Sequence, residues 1–290
     1  MDWANIILQG VLLGGVYALF ATGLAVVFGV MRIVNLAHGD FGILAAYVAL
    51  VFADRWGINP LFLTVVSCVI LFGVGYALQT GLLNRAMVGG DEMRPLLITF
   101  GLAVIIQNLL LEVFSADSQG LDPGRLRTES ITITGKLAIG WFPLISFLLG
   151  VAVIVAMQLF LSRTKLGRAF RATSDDQEAA RLMGIDNRRV YALAMGISLA
   201  IVALAGVFMG IRTTFAPAFG GARLIFGFEA VIIGGMGSLW GTLLGGIVLG
   251  VAQAIGAQIE PGWGVLFGNI VFLTILAIKP SGFFAKTVTS

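Results

Sequence analysis

Charge is scarce in this chain. Only 11 % of its 290 residues are Asp, Glu, Lys or Arg, against roughly a quarter in soluble globular proteins, while 58 % are hydrophobic and the mean hydropathy is +0.99. That balance excludes a water-soluble domain and points to a polytopic membrane protein. Cysteine is nearly absent too: Cys68 is single and sits in an apolar run, so no intrachain disulfide forms and it reads as a small packing residue. One histidine beside one cysteine excludes the usual multi-ligand zinc site, and there is no H-E-x-x-H stretch. The only Gly-Lys pair, Gly135-Lys136, lacks the upstream glycine and the following hydroxyl of a phosphate-binding loop, so ATP is not bound by that route. Ionisable groups inside the apolar runs are few. Asp40, Glu112 and Glu229 stand near run ends, which weighs against a membrane-embedded hydrolase and against a proton-coupled carrier. No catalytic residue, metal ligand or cofactor is assigned to this chain.

What is present is a succession of long apolar runs. Residues 4–31 are uncharged and, at about 1.5 Å per residue, long enough to cross a ~30 Å hydrocarbon core. Asp2 precedes them with no basic leader region, which reads as a retained span rather than a signal peptide. Gly10 and Gly14 form a small-xxx-small pair that permits close helix approach. Arg32, Asn35, His38 and Asp40 then mark a polar turn at the membrane face before a second run to about Ala53. A third run covers 56–84, and a short polar loop with Arg85, Asp91, Glu92 and Arg94 follows it. Pro95 opens a fourth run to about Phe114, at a position where its missing N–H costs nothing.

Residues 115–141 are polar and balanced in charge, as expected of an extracytoplasmic loop, and the alternation Ser130 to Thr134 suggests a short strand or hairpin arm. Runs at 142–162 and 190–211 flank a polar island. Beyond Arg212 lies a Pro- and Gly-bearing segment, Thr213 to Phe228, then a glycine-rich run from Ala230 to Ile259 that is either one long helix or two pieces. A last span covers 263–278. The expected fold is therefore all-α and polytopic, a single transmembrane domain over 1–290 with eight or nine transmembrane helices. Nine crossings, one of them broken or re-entrant, place Lys279 and Lys286 on the same side as the island.

The island, Arg163 to Tyr191, holds seven basic and four acidic residues, a net +3 equal to the formal charge of the whole chain. Such a basic loop between apolar spans marks the cytoplasmic side and puts the N-terminus outside. The pI near 9.3 thus reports membrane orientation rather than nucleic-acid binding. Within the island, Ser174 and Gln177 have capping-box spacing, which predicts a helix from about Asp175, roughly two and a half turns long, ending at Gly184. Ala179, Leu182 and Met183 make a small apolar face on that helix, which either docks on a partner or folds back on the membrane surface.

Four stretches together carry a resemblance. Asn35-Leu-Ala-His38-Gly39-Asp40-Phe41, the island core Asp176, Ala180, Gly184 and Ile185, the run Val231 to Ser238, and the terminal Lys279-Pro-Ser-Gly282 resemble the LivH-type permeases of branched-chain amino-acid ABC importers, over nearly the whole chain. Glu178, Ala179 and Ala180 match the Glu-Ala-Ala signature of ABC permeases, with Gly184 as its following glycine. The resemblance implies a cytoplasmic coupling loop at 163–190 whose helix, from Asp176 through Glu178, Ala179, Ala180, Leu182, Met183, Gly184 and Ile185, docks on a separate ATPase. It also implies a second related permease, two ATPases that carry the ATP and Mg, an extracytoplasmic binding protein, and residence in a bacterial inner membrane. The cargo it implies is a branched-chain amino acid, with other amino acids, amides or urea as alternatives.

Other candidates follow from position. Asn35, His38 and Asp40 at the cytoplasmic mouth are read as gate or as caps of the second span. Gln107, Asn108 and Glu112 lie near the outer end of the fourth, the last two on one helical face, where they contact a zwitterion or bind helices together. Arg212, Arg223 and Glu229 are candidates for docking the binding protein. The competing classes are a secondary transporter or channel working without an ATPase, and a scaffold subunit with no pathway.

Overall fold

The computed structural model describes residues 3–87, 93–127, 129–134 and 137–284. Asp2, Asp91, Glu92, Gly135, Lys136 and Lys286 lie outside the described residues. The chain is an all-α polytopic membrane protein. Its helices are α1 (Trp3–Met31), α2 (His38–Trp56), α3 (Pro60–Leu78), α5 (Met93–Phe114), α6 (Trp141–Arg163), α7 (Lys165–Asp175), α8 (Gln177–Leu182), α9 (Asn187–Arg212), α10 (Gly220–Gly234), α11 (Leu239–Ile259) and α12 (Gly264–Ile278). A π-helical turn at Gln79–Leu83 joins α3 to the short α4 (Asn84–Ala86). One antiparallel hairpin pairs β1 (Ser130–Thr134) with β2 (Leu137–Gly140), so the alternating stretch is a strand.

Among the described residues, eight helices are long and apolar enough to span a membrane. They do not share the interior equally. Of the most apolar eighteen-residue windows, 83 % is buried in α1 and 78 % in α9, against 17 % in α5 and 6 % in the segment holding α12. Helix α1 is thus the axis around which the others pack. It lies antiparallel to α11 along a seam of glycines: a Cβ on Gly14 would sit 2.5 Å from Ile247 Cα, and one on Gly10 2.6 Å from Val251 Cα. Gly246 and Gly250 face Gly14 and Gly10 from the other helix. Only residues without side chains allow backbones this close, and with no hydrophobic drive inside lipid such contact is what holds helices together.

Helix α2 does not begin at the membrane face. His38 Nε2 lies 3.1 Å from Phe20 O, and a Cβ on Gly23 would meet the same ring. Gly23 is eight residues, or roughly 12 Å, before the end of α1. After Met31 the chain turns at Arg32, whose φ is 56°, and climbs back inside the protein. The polar turn read from the sequence over 31–40 is therefore a re-entrant segment whose backbone is satisfied internally: Ala37 N donates to Asn35 Oδ1 (3.0 Å) and Leu36 N to Thr99 Oγ1 (3.2 Å).

A second interruption mirrors it. Thr213 to Ala216 is extended, and Phe215 exchanges backbone hydrogen bonds with Gln119 of the loop after α5. Helix α10 then starts at Gly220, packed against Asp40 and Gly39 at the buried start of α2. The Pro- and Gly-bearing stretch to Phe228 is thus more than half helix, from Gly220 on. Pro217 opens a 3-10 turn rather than breaking a helix, and the glycines are contact points: Gly220 on Asp40, Gly227 on Phe20 and Leu24, Gly234 on Gly241. The glycine-rich run resolves into two pieces, joined by a turn with φ of 99° at Gly235 and 84° at Gly237.

With the interrupted crossing that contains α2 added to these eight, the described residues pass between the two faces nine times. The end of α12 therefore lies on the island's face, where Phe284 lines a recess with Arg171 and Trp240. Val substituted at Gly14 or Gly246 is expected to cost about 2 kcal/mol through overpacking, whereas Ala at Gly73, with nothing within 4 Å of its Cβ, is neutral or stabilising. Thermal unfolding in detergent measures both, and a Gly14→Val protein as stable as the parent would show that α1 and α11 are not in backbone contact.

Candidate functional site

The island is built from its caps. Thr164 Oγ1 accepts from Gly167 N (2.9 Å) and starts α7, a helix not foreseen in the sequence, which buries Gly167, Phe170 and Thr173. Gly167 lies directly on the backbone of Phe160 and Leu161, which folds α7 tightly back onto the end of α6. The expected capping box at Ser174 is not formed: Ser174 is still inside α7, and its hydroxyl donates instead to Gly29 O near the end of α1. Asp176 takes the capping role, its Oδ1 accepting from Glu178 N (2.8 Å) and Ala179 N (2.9 Å). Helix α8 is accordingly six residues long, shorter than read from the sequence, because α7 uses the residues up to Asp175.

Its end matches the expectation. Gly184 has φ of 81°, Gly184 N donates to Arg181 O and Ile185 N to Ala180 O, a Schellman arrangement that satisfies two open carbonyls. Asn187 then stitches the unit together: its amide donates to Gln177 O (2.8 Å), and its oxygen accepts from Thr173 Oγ1 (3.3 Å). Asp186 caps α9 through Arg188 N and Arg189 N. The six-residue helix is thus closed at both ends, by Asp176 and the start of α9 at one and by Gly184 and Ile185 at the other.

What it presents outward is apolar. Leu182 and Met183 are 84 % and 83 % exposed and Ala179 is exposed, while Ala180 is buried and anchors the helix. Beside it opens a recess of about 400 Å³ lined by Asn84, Gln177, Arg181, Ile185, Asn187 and Tyr191. An exposed leucine–methionine pair thus stands on a capped helix beside a polar recess. A physical link runs inward from it: Arg32 Nη2 donates to Ser174 O (3.3 Å), so the end of α7 is tied by two contacts to the end of the central helix.

The remaining candidates fall in two depths. Asn35, His38 and Asp40 are buried and serve the re-entrant turn, Asn35 by accepting from Ala37 N and His38 by its contact with Phe20 O. Gln107, Asn108 and Glu112 lie on the thinly covered α5, with Asn108 and Glu112 exposed and Asn108 turned back to Val104 O (2.8 Å). Arg212 and Arg223 are half-buried and Glu229 is only 4 % exposed, so Glu229 does not reach a surface on which a soluble protein docks. Beside them stand three residues that sequence reasoning did not single out, Tyr17, Gln253 and Asn269. Tyr17 Oη donates to Gln253 Oε1 (2.6 Å), and Asn269, with its amide turned to donate, reaches Glu229 Oε1 at 2.9 Å. Their signal in the sequence was polarity inside apolar runs, which alone does not tell helix glue from a site.

The family described as branched-chain amino acid transport system / permease component matches residues 6–276. The chain is 29 % identical to the high-affinity branched-chain amino acid transport system permease protein BraD of Pseudomonas aeruginosa, over 97 % of this chain and 95 % of that one. It is 27 % identical to the corresponding permease protein LivH of Escherichia coli, over 96 % and 94 %. It is also 25 % identical to the permease protein LivM of Escherichia coli, over 94 % of this chain and 68 % of that one.

Replacing Asp176 by Ala removes the cap of α8 and is expected to cost about 1 kcal/mol locally, speeding hydrogen exchange of the 177–183 amides about fivefold. Leu182→Ala, at a side chain in contact with little, leaves exchange unchanged. Equal protection in Asp176→Ala and the parent would mean that the loop is held by other contacts.

Proposed function

The chain belongs to the branched-chain amino acid transport system permease component family, and from that premise we propose that it is a permease subunit of an ATP-driven importer for branched-chain or similar amino acids. It is a multi-pass transport subunit rather than an enzyme. The reading assigns ATP and Mg²⁺ to two separate cytoplasmic ATPase chains, the delivery of cargo to an extracytoplasmic binding protein, and half of the translocation path to a second, related permease. The similarity of this chain to both LivH and LivM supports a partner of related sequence. The basic island faces the cytoplasm of a bacterial inner membrane, which puts the start of α1 outside and the end of α12 inside.

One observation carries the reading: a helix capped at both ends presents Leu182 and Met183 to solvent, while the helix before it, α7, is fastened to the end of the central helix. Docking of that helix in a groove of an ATPase buries the pair, and movement of the ATPase is passed to α1 through Ser174 and Arg32. A secondary transporter has no use for such a face.

The test is copurification with ATPases encoded in the same genome. Leu182→Glu combined with Met183→Glu is expected to abolish binding without changing the melting temperature, since both side chains lie outside the fold. Ala180→Arg is less clean because Ala180 is buried. Retained ATPase binding in the double variant would sink the docking assignment, and uptake of solute by the chain alone would favour the secondary-transporter reading.

A further inference from the structure

The half of the protein opposite the island holds a polar constellation in which charges are buried without being matched. Arg212 ends α9, Arg223 stands in the first turn of α10, and Glu229 lies further along the same helix. Tyr17 of the central helix lies within electrostatic reach of all three, and its ring packs against Phe226 at 5.1 Å. Yet among the described residues no ion pair joins Glu229 to either arginine. Arg223 Nη2 reaches only Thr213 Oγ1 (3.2 Å). Arg212 Nη1, Arg223 Nε, Glu229 Oε2 and Gln253 Nε2 are buried atoms with no hydrogen-bond partner.

At this depth such an arrangement is costly. A buried donor or acceptor left open loses its hydration without return, and an unmatched ionisable group inside a membrane protein loses more. A Glu and two Arg close enough to share a tyrosine would ordinarily settle the cost by pairing with one another. They do not, and the open atoms are complementary: guanidinium and amide donors on one side, a carboxylate acceptor on the other. The arginines are half-buried, so the constellation is open at one end, while Glu229 at the other is 4 % exposed.

We propose that Arg212, Arg223, Tyr17, Gln253 and Glu229 form a subsite for a small zwitterion, the two guanidiniums receiving its carboxylate and Glu229 its ammonium group. This deepens, and rests on, the reading of the chain as an amino-acid permease: the permease itself contacts both charged ends of the cargo in transit. Arginine suits the first task because its planar fork matches a carboxylate in two places. Glu229 Oε1 is already held by Asn269, which orients the carboxylate and leaves Oε2 for the ligand. Tyr17 and Gln253 bridge the two ends, Tyr17 Oη being held by Gln253 Oε1 while Gln253 Nε2 remains open. The arginines and Glu229 then act within the wall of the pathway rather than as a docking surface for a soluble protein.

The experiment uses the assembled transporter in nanodiscs, with Cys68→Ser to remove the native thiol and Ala222→Cys, exposed beside Arg223, as reporter. Maleimide labelling is followed with L-leucine, with leucinamide, which lacks the carboxylate, and with 4-methylpentanoate, which lacks the amine. Leucine is expected to slow labelling, and neither analogue to do so at the same concentration. Glu229→Gln raises the leucine concentration needed by roughly tenfold, as loss of one charge-assisted hydrogen bond implies, with an unchanged melting temperature, and Glu229→Asp restores part of it. Labelling that leucine does not slow, in a complex that still takes up leucine, overturns the subsite while leaving the proposed function standing. Labelling that responds instead to the anionic lipid content of the disc also overturns it, assigning the arginines to lipid phosphate. Protection by leucine in a complex that takes up no amino acid sustains the subsite and sinks the importer reading.

Discussion

Where Gly10 and Gly14 of α1 meet Gly246 and Gly250 of α11, the space for each missing Cβ is filled by the partner's main chain. Inside lipid, apolar side chains gain nothing by turning from tails to protein, so association depends on dispersion between closely packed surfaces. Glycines on both helices bring those surfaces to the smallest possible separation. The result is a central helix enclosed on nearly all sides, and everything else is arranged with respect to it: α9 bonds to it through Ser198 and Gly23 O, α10 lies on Phe20 and Leu24, and α2 starts beside Gly23.

That enclosure is what makes two interrupted crossings possible. Non-helical backbone at membrane depth has no water to bond, so it survives only inside protein. The segment after α1 is covered by α9 and α5 and satisfied by Asn35 and Thr99; the segment after α9 is satisfied by Gln119, while Leu121 N of the same loop bonds Gly210 O in the last turn of α9. The two interruptions meet, with Gly39 of one against Gly220 of the other. Helix ends therefore face one another near the middle of the protein, next to the charged constellation around Tyr17. On the island side the same central helix receives the contacts of Ser174 and Arg32, so a single helix runs between the island and the polar constellation.

Much of this was legible in the residues. The spans ending near Met31, Phe114, Arg163, Arg212 and Ile278 were readable because lipid demands about twenty uncharged residues and the chain supplies them. Motifs that carried the family resemblance turn out to have local structural tasks. Gly184 takes a left-handed conformation that ends α8, and Ser238 Oγ caps α11 by accepting from Gly241 N. The Lys279–Gly282 segment turns the chain so that Phe283 N and Phe284 N bond Ile233 O and Gly234 O at the open end of α10. Less legible was the island's division into two helices, because Ser174 satisfies a capping pattern as well as Asp176 does, and only the proximity of Gly29 draws its hydroxyl away.

The sequence by itself determined the membrane class, the position of the basic island, and the existence of a short capped helix within it, since these follow from local composition and from hydrogen bonds between near neighbours. Only the tertiary structure decided that residues 31–40 re-enter the protein, that α10 begins within the Pro- and Gly-bearing segment, and that Tyr17, Arg212, Arg223, Glu229 and Gln253 converge. Each of those depends on contacts between residues far apart in the chain. Nothing in the spacing of a tyrosine at 17 and a glutamine at 253 states that α1 and α11 lie backbone to backbone, and it is that packing which brings their side chains within a hydrogen bond.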